Sequence, residues 1–389
     1  MVPFSSVFSQ LLKLFPRLEF EQLVRKHGAE RHARGFSCWQ QFVAMLFCQL
    51  GKAQSLREIC QGLCSVEGKL VHLGVSAAPS RSTLAYANRH RRWELFQAVF
   101  FSLLDRCREV APGRHPLRFK NPLLSLDATT IELCASLFNW AKYKRTKGAV
   151  KLHLLLDHDG YLPTFAVITD GKTSDIEIAR KTRFPAGAVL TIDRGYNDYQ
   201  WFDELTAEGV FFVTRMKRNT SYQVLETRPL PQDRGVVADE TIQLDAMPGK
   251  EPFLLRRVEV ENPEGGDNLV FLTNHLEFGP TTIAAIYKQR WQIELLFKVL
   301  KQNLRVKTFV GTSANALKIQ LWTALIALLL LRYLKLKSRY GWSLSNLVAM
   351  LRFNLFTHRD LWAWIDDPFP KNSSPPPEPS AQLTLAQFG

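Results

Sequence analysis

Four side chains that can do chemistry lie within residues 287–301, which read YKQRWQIELLFKVLK. One of the four is a carboxylate, and at about 100° per residue an α-helix would place the other three within roughly 40° of it. These side chains are Tyr287, Arg290, Glu294 and Lys301. A carboxylate beside two cations and a phenol can hold a metal ion against a polyanion and grip the adjacent phosphates. An ordinary surface helix with an i,i+4 ion pair has the same composition, so this alternative stays open.

The apolar residues of the same segment fall about 100° or more from Glu294 on a helix. We expect this second face to pack against the rest of the protein. Its members are Ile293, Leu295, Leu296, Val299 and Leu300.

Two upstream segments each run apolar into one aspartate. Residues 122–130 read PLLSLDATT and contain Asp127, and residues 188–196 read AVLTIDRGY and contain Asp193. Both patterns predict buried strands that lead into a carboxylate. A single aspartate at a strand end is commonly a turn former or helix cap, so neither segment is decisive alone. With Glu294 they give three carboxylates that could converge on a hard divalent cation, which prefers oxygen ligands and keeps positions open for phosphate.

Together the three segments resemble the insertion-sequence DDE transposases of the IS-four family, which carry a Y-R-E-K motif. The resemblance covers most of residues 120–335. The residues that match the family's motifs are Asp127, Asp193, Glu294, Tyr287, Arg290 and Lys301. It implies an RNase H-like catalytic fold, two Mg²⁺ ions for which Mn²⁺ can substitute, and excision and insertion of a mobile DNA element.

The resemblance also implies a role for each residue. Asp127 would ligate both metal ions, and Asp193 and Glu294 would each complete one side. Arg290 and Lys301 would hold flanking phosphates, and Tyr287 would hydrogen-bond one. The expected partners are terminal inverted repeats and target DNA, with a homodimer in a paired-end complex, no membrane, and a cytoplasmic, nucleoid-associated location in a bacterium.

The order of elements supports this α/β fold class independently. A three-stranded antiparallel meander is predicted from residues 122–130, 151–157 and 162–168, followed by helices and strands in alternation. The alternating elements are a helix at 174–181, the Asp193 strand, a helix at 199–208 and a strand at 209–214. A mixed sheet flanked by helices is the economical architecture. That the two aspartate strands lie side by side is implied by the resemblance.

The expected domain organisation has five parts. Residues 1–115 form a helical domain, and residues 116–217 form the first part of the catalytic core. Residues 218–276 form a β-rich insertion, which is followed by the catalytic glutamate helix and the C-terminal helices at 277–366. Residues 367–389 form a disordered, Pro- and Ser-rich tail. In the first domain we predict helices at 39–50, 56–63 and 81–95. The last is basic and suits DNA reading, although a charged surface helix has the same pattern.

Charge points to a polyanionic partner. The 389-residue chain carries a net charge of +14 and a pI near 9.6, which attracts nucleic acid but would equally attract an anionic membrane surface. Two local runs are more specific. The predicted DNA contacts in them are Lys142, Lys144, Arg145 and Lys147 in a loop before the second strand, and Arg215 and Lys217 after the 209–214 strand. A solvated hairpin and ordinary strand-end charge are the alternatives.

The insertion contains no tryptophan with which to stack on a flipped base, a role that some relatives give to a Trp there. Residues that could substitute are Tyr222, Phe253, Phe271 and, outside the insertion, Trp291.

Other features narrow the function. The uncharged run 319–331 has 13 residues, which is short for a membrane span and predicts a buried helix covering the sheet. The six cysteines lack metal-ligand spacing, which predicts reduced thiols in a cytosolic protein. A structure-specific nuclease with the same fold and a non-catalytic, domesticated DNA-binding protein are the remaining alternatives.

Overall fold

The computed structural model describes residues 5–31, 33, 35–66, 68–113, 115–134, 138–144, 147–244, 254–302 and 310–369. The helices in this part of the chain are α1 (Val7–Leu12), α2 (Arg17–His27), α3 (Cys38–Gly51), α4 (Leu56–Cys64), α5 (Arg81–His90), α6 (Glu94–Val110), α7 (Asp175–Lys181), α8 (Tyr199–Ala207), α9 (Pro280–Gln289), α10 (Trp291–Gln302), α11 (Ala314–Lys337), α12 (Leu344–Asn354) and α13 (Leu361–Asp366).

The strands are β1 (Leu123–Cys134), β2 (Lys142–Lys144), β3 (Lys147–Asp157), β4 (Leu162–Asp170), β5 (Val189–Ile192), β6 (Phe211–Arg215), β7 (Tyr222–Thr227), β8 (Val236–Leu244), β9 (Leu254–Val260) and β10 (Leu269–Thr273). They join in one sheet of order β2-β3-β1-β5-β6-β10-β9-β8-β7, in which β4 also pairs with β3.

The half of the sheet that carries the two predicted aspartates is built around β1. Strands β1, β3 and β4 pair antiparallel in the predicted meander, while β5 and β6 run parallel to β1. Both parallel strands are short; β5 is buried throughout and β6 along its centre, as is usual for parallel strands that are covered on both faces. This mixed α/β sheet with flanking helices is an RNase H-like fold, which confirms the predicted fold class.

The strands after β6 extend the same sheet. β10 pairs antiparallel with β6, and β9, β8 and β7 follow in order as hairpins. A buried ion pair fastens β8 to β9: both nitrogens of the Arg256 fork lie 2.7 Å from the Asp239 carboxylate oxygens. The predicted β-rich segment therefore shares its hydrogen-bonded ladder with the half that carries the two predicted aspartates.

Helix α11 is the centre of the largest hydrophobic core. Apolar residues surround it on all sides, and helices α3, α5, α6 and α12 and strand β4 pack against it. It is long and apolar enough to span a membrane, but 83% of its most apolar window is buried inside the protein. The prediction of a buried helix over 319–331 is confirmed, and the N-terminal helices cover that helix together with the sheet.

Two predicted helices are each divided in the structure. Residues 81–95 form the whole of α5 and the start of α6, because Arg91 leaves the helix in an extended conformation and its guanidinium binds the Phe36 carbonyl and the Gln41 side chain. Arg91 is therefore partly buried, whereas Arg89 and Arg92 are exposed.

The helix predicted over 287–301 is interrupted at Arg290, between α9 and α10. The amide of Arg290 donates to the Tyr287 carbonyl and that of Ile293 to the Arg290 carbonyl, so the turn tightens to i→i+3 bonds. No glycine or proline causes this. The break follows from packing: α9 lies on β5, β6, β8 and β9, whereas α10 lies on β1 and α11.

Most of the predicted packed face of α10 is confirmed. Ile293, Leu296 and Leu300 are buried against the core around α11, and Val299 is partly buried there. Leu295 is an error of the prediction, because 39% of it is exposed. The apolar face is narrower than the helical wheel indicates, since α10 contacts the core along one side only.

The contrast between Leu296 and Leu295 gives a stability test. Leu296→Ala removes a fully buried side chain and should lower the free energy of unfolding by about 2–5 kcal/mol. Leu295→Ala, the neighbouring control, should change it by less than about 1 kcal/mol. Urea denaturation followed by circular dichroism measures both. Equal losses in the two variants would mean that α10 is rotated from the position described.

Candidate active site

The site begins with the pairing of β1 and β5. Leu126 on β1 lies opposite Ile192 on β5 in parallel register, so Asp127 and Asp193 come next on adjacent strands. β5 ends there, whereas β1 continues in its antiparallel pairing with β3. The two aspartates predicted as catalytic are therefore neighbours, because of a register set by the buried apolar residues that precede them.

Asp127 is held in a mostly buried position. Its Oδ1 accepts a hydrogen bond of 2.8 Å from the Ala128 amide. The pKa of Asp127 is raised to about 6, chiefly because burial disfavours the charged carboxylate; the Asp193 and Glu294 carboxylates also raise it, and the Ala128 amide and Arg290 lower it. The charges of Asp193 and Glu294 thus both act on Asp127, which lies on β1 just beyond its pairing with β5.

Asp193 is half-buried, like Asp127. It caps the short turn over residues 194–196, where its Oδ1 accepts a hydrogen bond of 2.7 Å from the Arg194 amide. Asp193 therefore does act as a local cap, which was the alternative interpretation of its position in the sequence. It is compatible with a catalytic role, because a capping bond uses one oxygen of the carboxylate and leaves the other.

Arg290 connects the helical part of the site to the strand. Its guanidinium lies 2.6 Å from the Glu294 Oε1 and 3.8 Å from the Asp127 Oδ2, and 5.5 Å from the centre of the Tyr287 ring. The break between α9 and α10 places Arg290 at this point. The predicted i,i+4 pair with Glu294 exists, but Arg290 is only 14% exposed, so the pair belongs to the site and not to an open helix surface.

Tyr287 lies at the end of α9 and forms the wall behind Arg290. Its ring packs 5.0 Å from that of Phe271, and burial raises the pKa of its phenol. Phe271 is 1% exposed and so is a core residue that cannot stack on a base. Lys301 is in the last turn of α10, seven residues after Glu294 and on the same face of that helix.

One residue close to the carboxylates was not predicted as functional. Tyr196, in the TIDRGY segment, is 3% exposed, and its hydroxyl has no hydrogen-bond partner in the described part of the chain. Burial raises its pKa, and Asp127, Asp175 and Asp193 raise it further. The available signal was its position three residues after Asp193, on the turn that the aspartate caps.

A basic groove adjoins the Asp193 end of the site. It has a volume of about 400 Å³ and continues along the start of the outer strands. Its cations are Arg194, Arg215, Lys217, Arg218 and Arg257. Arg218 and Arg257 form ion pairs with acidic neighbours, whereas no ion pair of Arg194 or Arg215 occurs among the described residues. The two predicted residues, Arg215 and Lys217, thus lie together in this groove.

The remaining predicted DNA contacts are described in part. Lys142 and Lys144 begin and end β2, which pairs with the start of β3 at Lys147, so the predicted loop is a short edge strand. Their side chains, and Arg145 as a whole, lie outside the described structure. Among the aromatic residues considered for base stacking, Tyr222 lines the basic groove, Trp291 is 56% exposed on α10, and Phe253 lies outside the described residues.

The comparisons with known proteins agree with this geometry. A sequence model described as a transposase DDE domain matches residues 118–330, and a domain of unknown function matches residues 4–76. A transposase of Sinorhizobium fredii is 35% identical over 305 residues, which is 76% of this chain and 83% of that protein. A transposase for an insertion sequence element of Geobacillus stearothermophilus is 30% identical over 276 residues, 70% of this chain and 72% of that protein.

The fold and the acidic strand ends define an RNase H-like enzyme domain, and the family match extends over more than half of the chain. The chain belongs to the DDE transposase family. It is a DNA transposase, an enzyme that cleaves and transfers DNA, and DNA is its partner. Proteins with this domain generally use a divalent metal.

The basic groove can be tested through the salt dependence of DNA binding. Arg215→Ala should lower the slope of log affinity against log salt by about one, because one phosphate contact is lost. Arg183→Ala is the matched control: it removes the same charge from an exposed ion pair with Glu208. Fluorescence anisotropy at several salt concentrations measures the slopes. If both variants kept the wild-type slope, the groove would not be a DNA contact.

Proposed function

We propose that this transposase cleaves the ends of its insertion sequence and joins the freed 3′ ends to target DNA at a site formed by Asp127, Asp193 and Glu294. The observation that carries this proposal is the parallel register of β1 and β5, which brings two acidic residues together opposite the Arg290–Glu294 pair. Isolated strand-end aspartates would not share one charged neighbourhood.

The donor set suits Mg²⁺, with Mn²⁺ able to substitute. Carboxylate oxygens are the ligands that hard divalent cations prefer. A bound cation would favour the charged form of Asp127, whose pKa is raised by burial and, to a lesser extent, by Asp193 and Glu294. As the side chains stand, no three His, Cys, Asp or Glu residues in the described ranges are grouped to hold a metal ion. The Arg290 guanidinium lies between Asp127 and Glu294, so these carboxylates must turn away from it to act as ligands.

Asp127, Asp193 and Glu294 would hold two ions, with Asp127 shared. Bound divalent metal lowers the pKa of an attacking water or 3′-hydroxyl and stabilises the leaving oxygen. The protein residues themselves supply positioning, which accounts for most of the catalysis in phosphoryl transfer. No covalent intermediate with the protein is required.

Arg290 can bind either a carboxylate or a phosphate. Its planar fork binds a carboxylate and a phosphate in the same bidentate geometry, so an incoming DNA phosphate can replace Asp127 and Glu294 as its partner. The exchange would release the carboxylates for metal as DNA arrives. Tyr287, whose ring lies under Arg290, keeps the guanidinium in place, and Lys301 extends the cationic face along α10.

DNA would reach the site from two basic surfaces. One is the groove with Arg215 and Lys217 beside Asp193, and the other is the β2–β3 hairpin with Lys142, Lys144, Arg145 and Lys147 beyond the far end of β1. The N-terminal helices, with Arg89 and Arg92 exposed near the end of α5, would read the terminal inverted repeats. A homodimer would hold two ends in one paired complex.

The three carboxylates give the first test of this proposal. Asp127→Asn, Asp193→Asn and Glu294→Gln should each reduce divalent-metal-dependent cleavage by at least about a hundredfold, because each removes a charged ligand. DNA affinity should stay within about twofold of the wild type. Cleavage and strand transfer are measured on a fragment carrying the element's ends, with Mg²⁺, with Mn²⁺ and with chelator.

Glu21→Gln, an exposed carboxylate on α2, is the control and should retain full activity. Any one of the three variants that kept near-wild-type cleavage would remove its residue from the site. Cleavage without strand transfer by the wild-type protein would identify a nuclease instead of a transposase.

The hairpin gives a second test. Replacing Lys142, Lys144, Arg145 and Lys147 together by Ala should flatten the salt dependence of DNA binding, lowering the slope by up to about four. A control variant removes four exposed cations elsewhere: Lys172, Lys181, Arg183 and Arg339. The two variants have equal net charge, so only the position of the cations differs. Identical slopes for both would show that the hairpin is a solvated edge without DNA contact.

A further inference from the structure

A second cavity lies at the opposite end of β1 from the basic hairpin. It has a volume of about 490 Å³ and is lined by the segment before β1, the β3–β4 turn, α10 and the end of α11. Its polar lining residues are His158, Tyr161, Gln292, Arg332 and Lys335. None of these residues belongs to the predicted catalytic or DNA-binding sets.

Arg332 is an uncompensated charge facing this cavity. It is 8% exposed, and its Nε has no hydrogen-bond partner in the described structure. Burial lowers the pKa of Arg332 to about 10, so the guanidinium remains protonated at neutral pH. Within the described ranges, Tyr161 is the one ionisable group that raises this pKa. The centre of the Tyr161 ring lies 5.6 Å from the guanidinium carbon. A buried cation without a carboxylate partner is unfavourable unless an anion binds it.

Two further groups complete a site for an anion. Lys335 lies one helical turn after Arg332, and its pKa is lowered by partial burial and by the charge of Arg332, so the two cations repel each other across the cavity. His158 is 1% exposed, and burial lowers its pKa to about 3, so its ring is neutral. The Ser125 hydroxyl binds its Nε2 at 2.6 Å, and its Nδ1 has no partner in the described residues.

The cavity adjoins the catalytic residues on two elements. Ser125, which holds His158, precedes Asp127 by two residues on β1, so both point to the same face of the sheet, roughly 7 Å apart along the strand. Gln292, in the lining, precedes Glu294 by two residues on α10. Residues two apart on a helix do not face the same side, so Gln292 and Glu294 lie on different faces of α10 and the cavity is separate from the carboxylates.

We propose that this cavity is a phosphate-binding site, with Arg332 as the buried anchor and Lys335 at its rim. A guanidinium fork and an ammonium match the oxygens of a phosphate group, which either the DNA backbone or a free phosphate can supply. Because DNA is the partner of a transposase, a backbone phosphate is the expected source, and that choice of source rests on the function proposed above.

Phosphate binding is tested on the full chain by thermal melting. Inorganic phosphate should raise the melting temperature of the wild-type protein relative to chloride at equal ionic strength, because a ligand that binds the folded state stabilises it. Arg332→Met should abolish the phosphate-dependent rise, and Lys335→Met should reduce it. Arg352→Met is the matched control, since its guanidinium lies over the Phe353 ring on α12, away from the cavity, and it should retain the rise.

DNA binding identifies the source of the phosphate. For a backbone phosphate, Arg332→Met should bind end-bearing DNA about tenfold more weakly, with the salt slope lower by about one, while Arg352→Met matches the wild type. A lost phosphate effect with unchanged DNA affinity would support the site and assign it to free phosphate. If Arg332→Met does not fold, Lys335→Met serves for both measurements.

The proposal is overturned if phosphate has no effect on the wild-type melting temperature, or the same effect in the wild type and both cavity variants. These readouts need no cleavage, so they are separable from the catalytic assignment. Asp127→Asn should keep the full phosphate-dependent rise even though its cleavage is lost.

Discussion

The burial of Asp127 beside two further carboxylates is the constraint on which the arrangement of the site depends. Parallel pairing of β1 and β5 forces Asp127 and Asp193 together, and α10 adds Glu294 to the same neighbourhood. Such a cluster is costly unless a cation accompanies it. Arg290 is that cation in the structure, through its ion pairs with Glu294 and Asp127. The break between α9 and α10, which follows from the different surfaces that the two helices cover, leaves the guanidinium within reach of both acids.

Arg290 also links stability to function. A guanidinium that neutralises the acids in the folded protein binds phosphate by the same two nitrogens, so the group that stabilises the site can be exchanged when DNA enters. In the proposed mechanism, bound metal would then neutralise the carboxylates, and the total charge around Asp127 would change little. The site would thus remain folded before DNA arrives, and its acids would be free to act as ligands afterwards.

The elements of the fold that could be predicted from the sequence are those that the local residue pattern determines. Apolar runs leading into Asp127 and Asp193 predicted the two strands, and alternation of strands and helices predicted the mixed sheet. The break at Arg290 and the exposure of Leu295 did not follow, because no glycine or proline marks the break and both depend on which core each half of the helix meets. Tyr196 was quoted within a motif, yet its buried hydroxyl beside three acids is visible only once the turn is folded.

The burial of Arg332 is another feature that the sequence does not indicate. A single arginine following an apolar run normally extends its stem along the surface and reaches water, so its sequence context indicates nothing unusual. In the fold, the β3–β4 turn and the segment before β1 close over it and leave the guanidinium in a cavity. Asp127 and Ser125 lie two residues apart on one face of β1. The Ser125 hydroxyl contacts His158, which lines the same cavity as Arg332. If the cavity binds a backbone phosphate as proposed, Asp127 would face the reacting phosphodiester while Arg332 holds another phosphate of the same DNA.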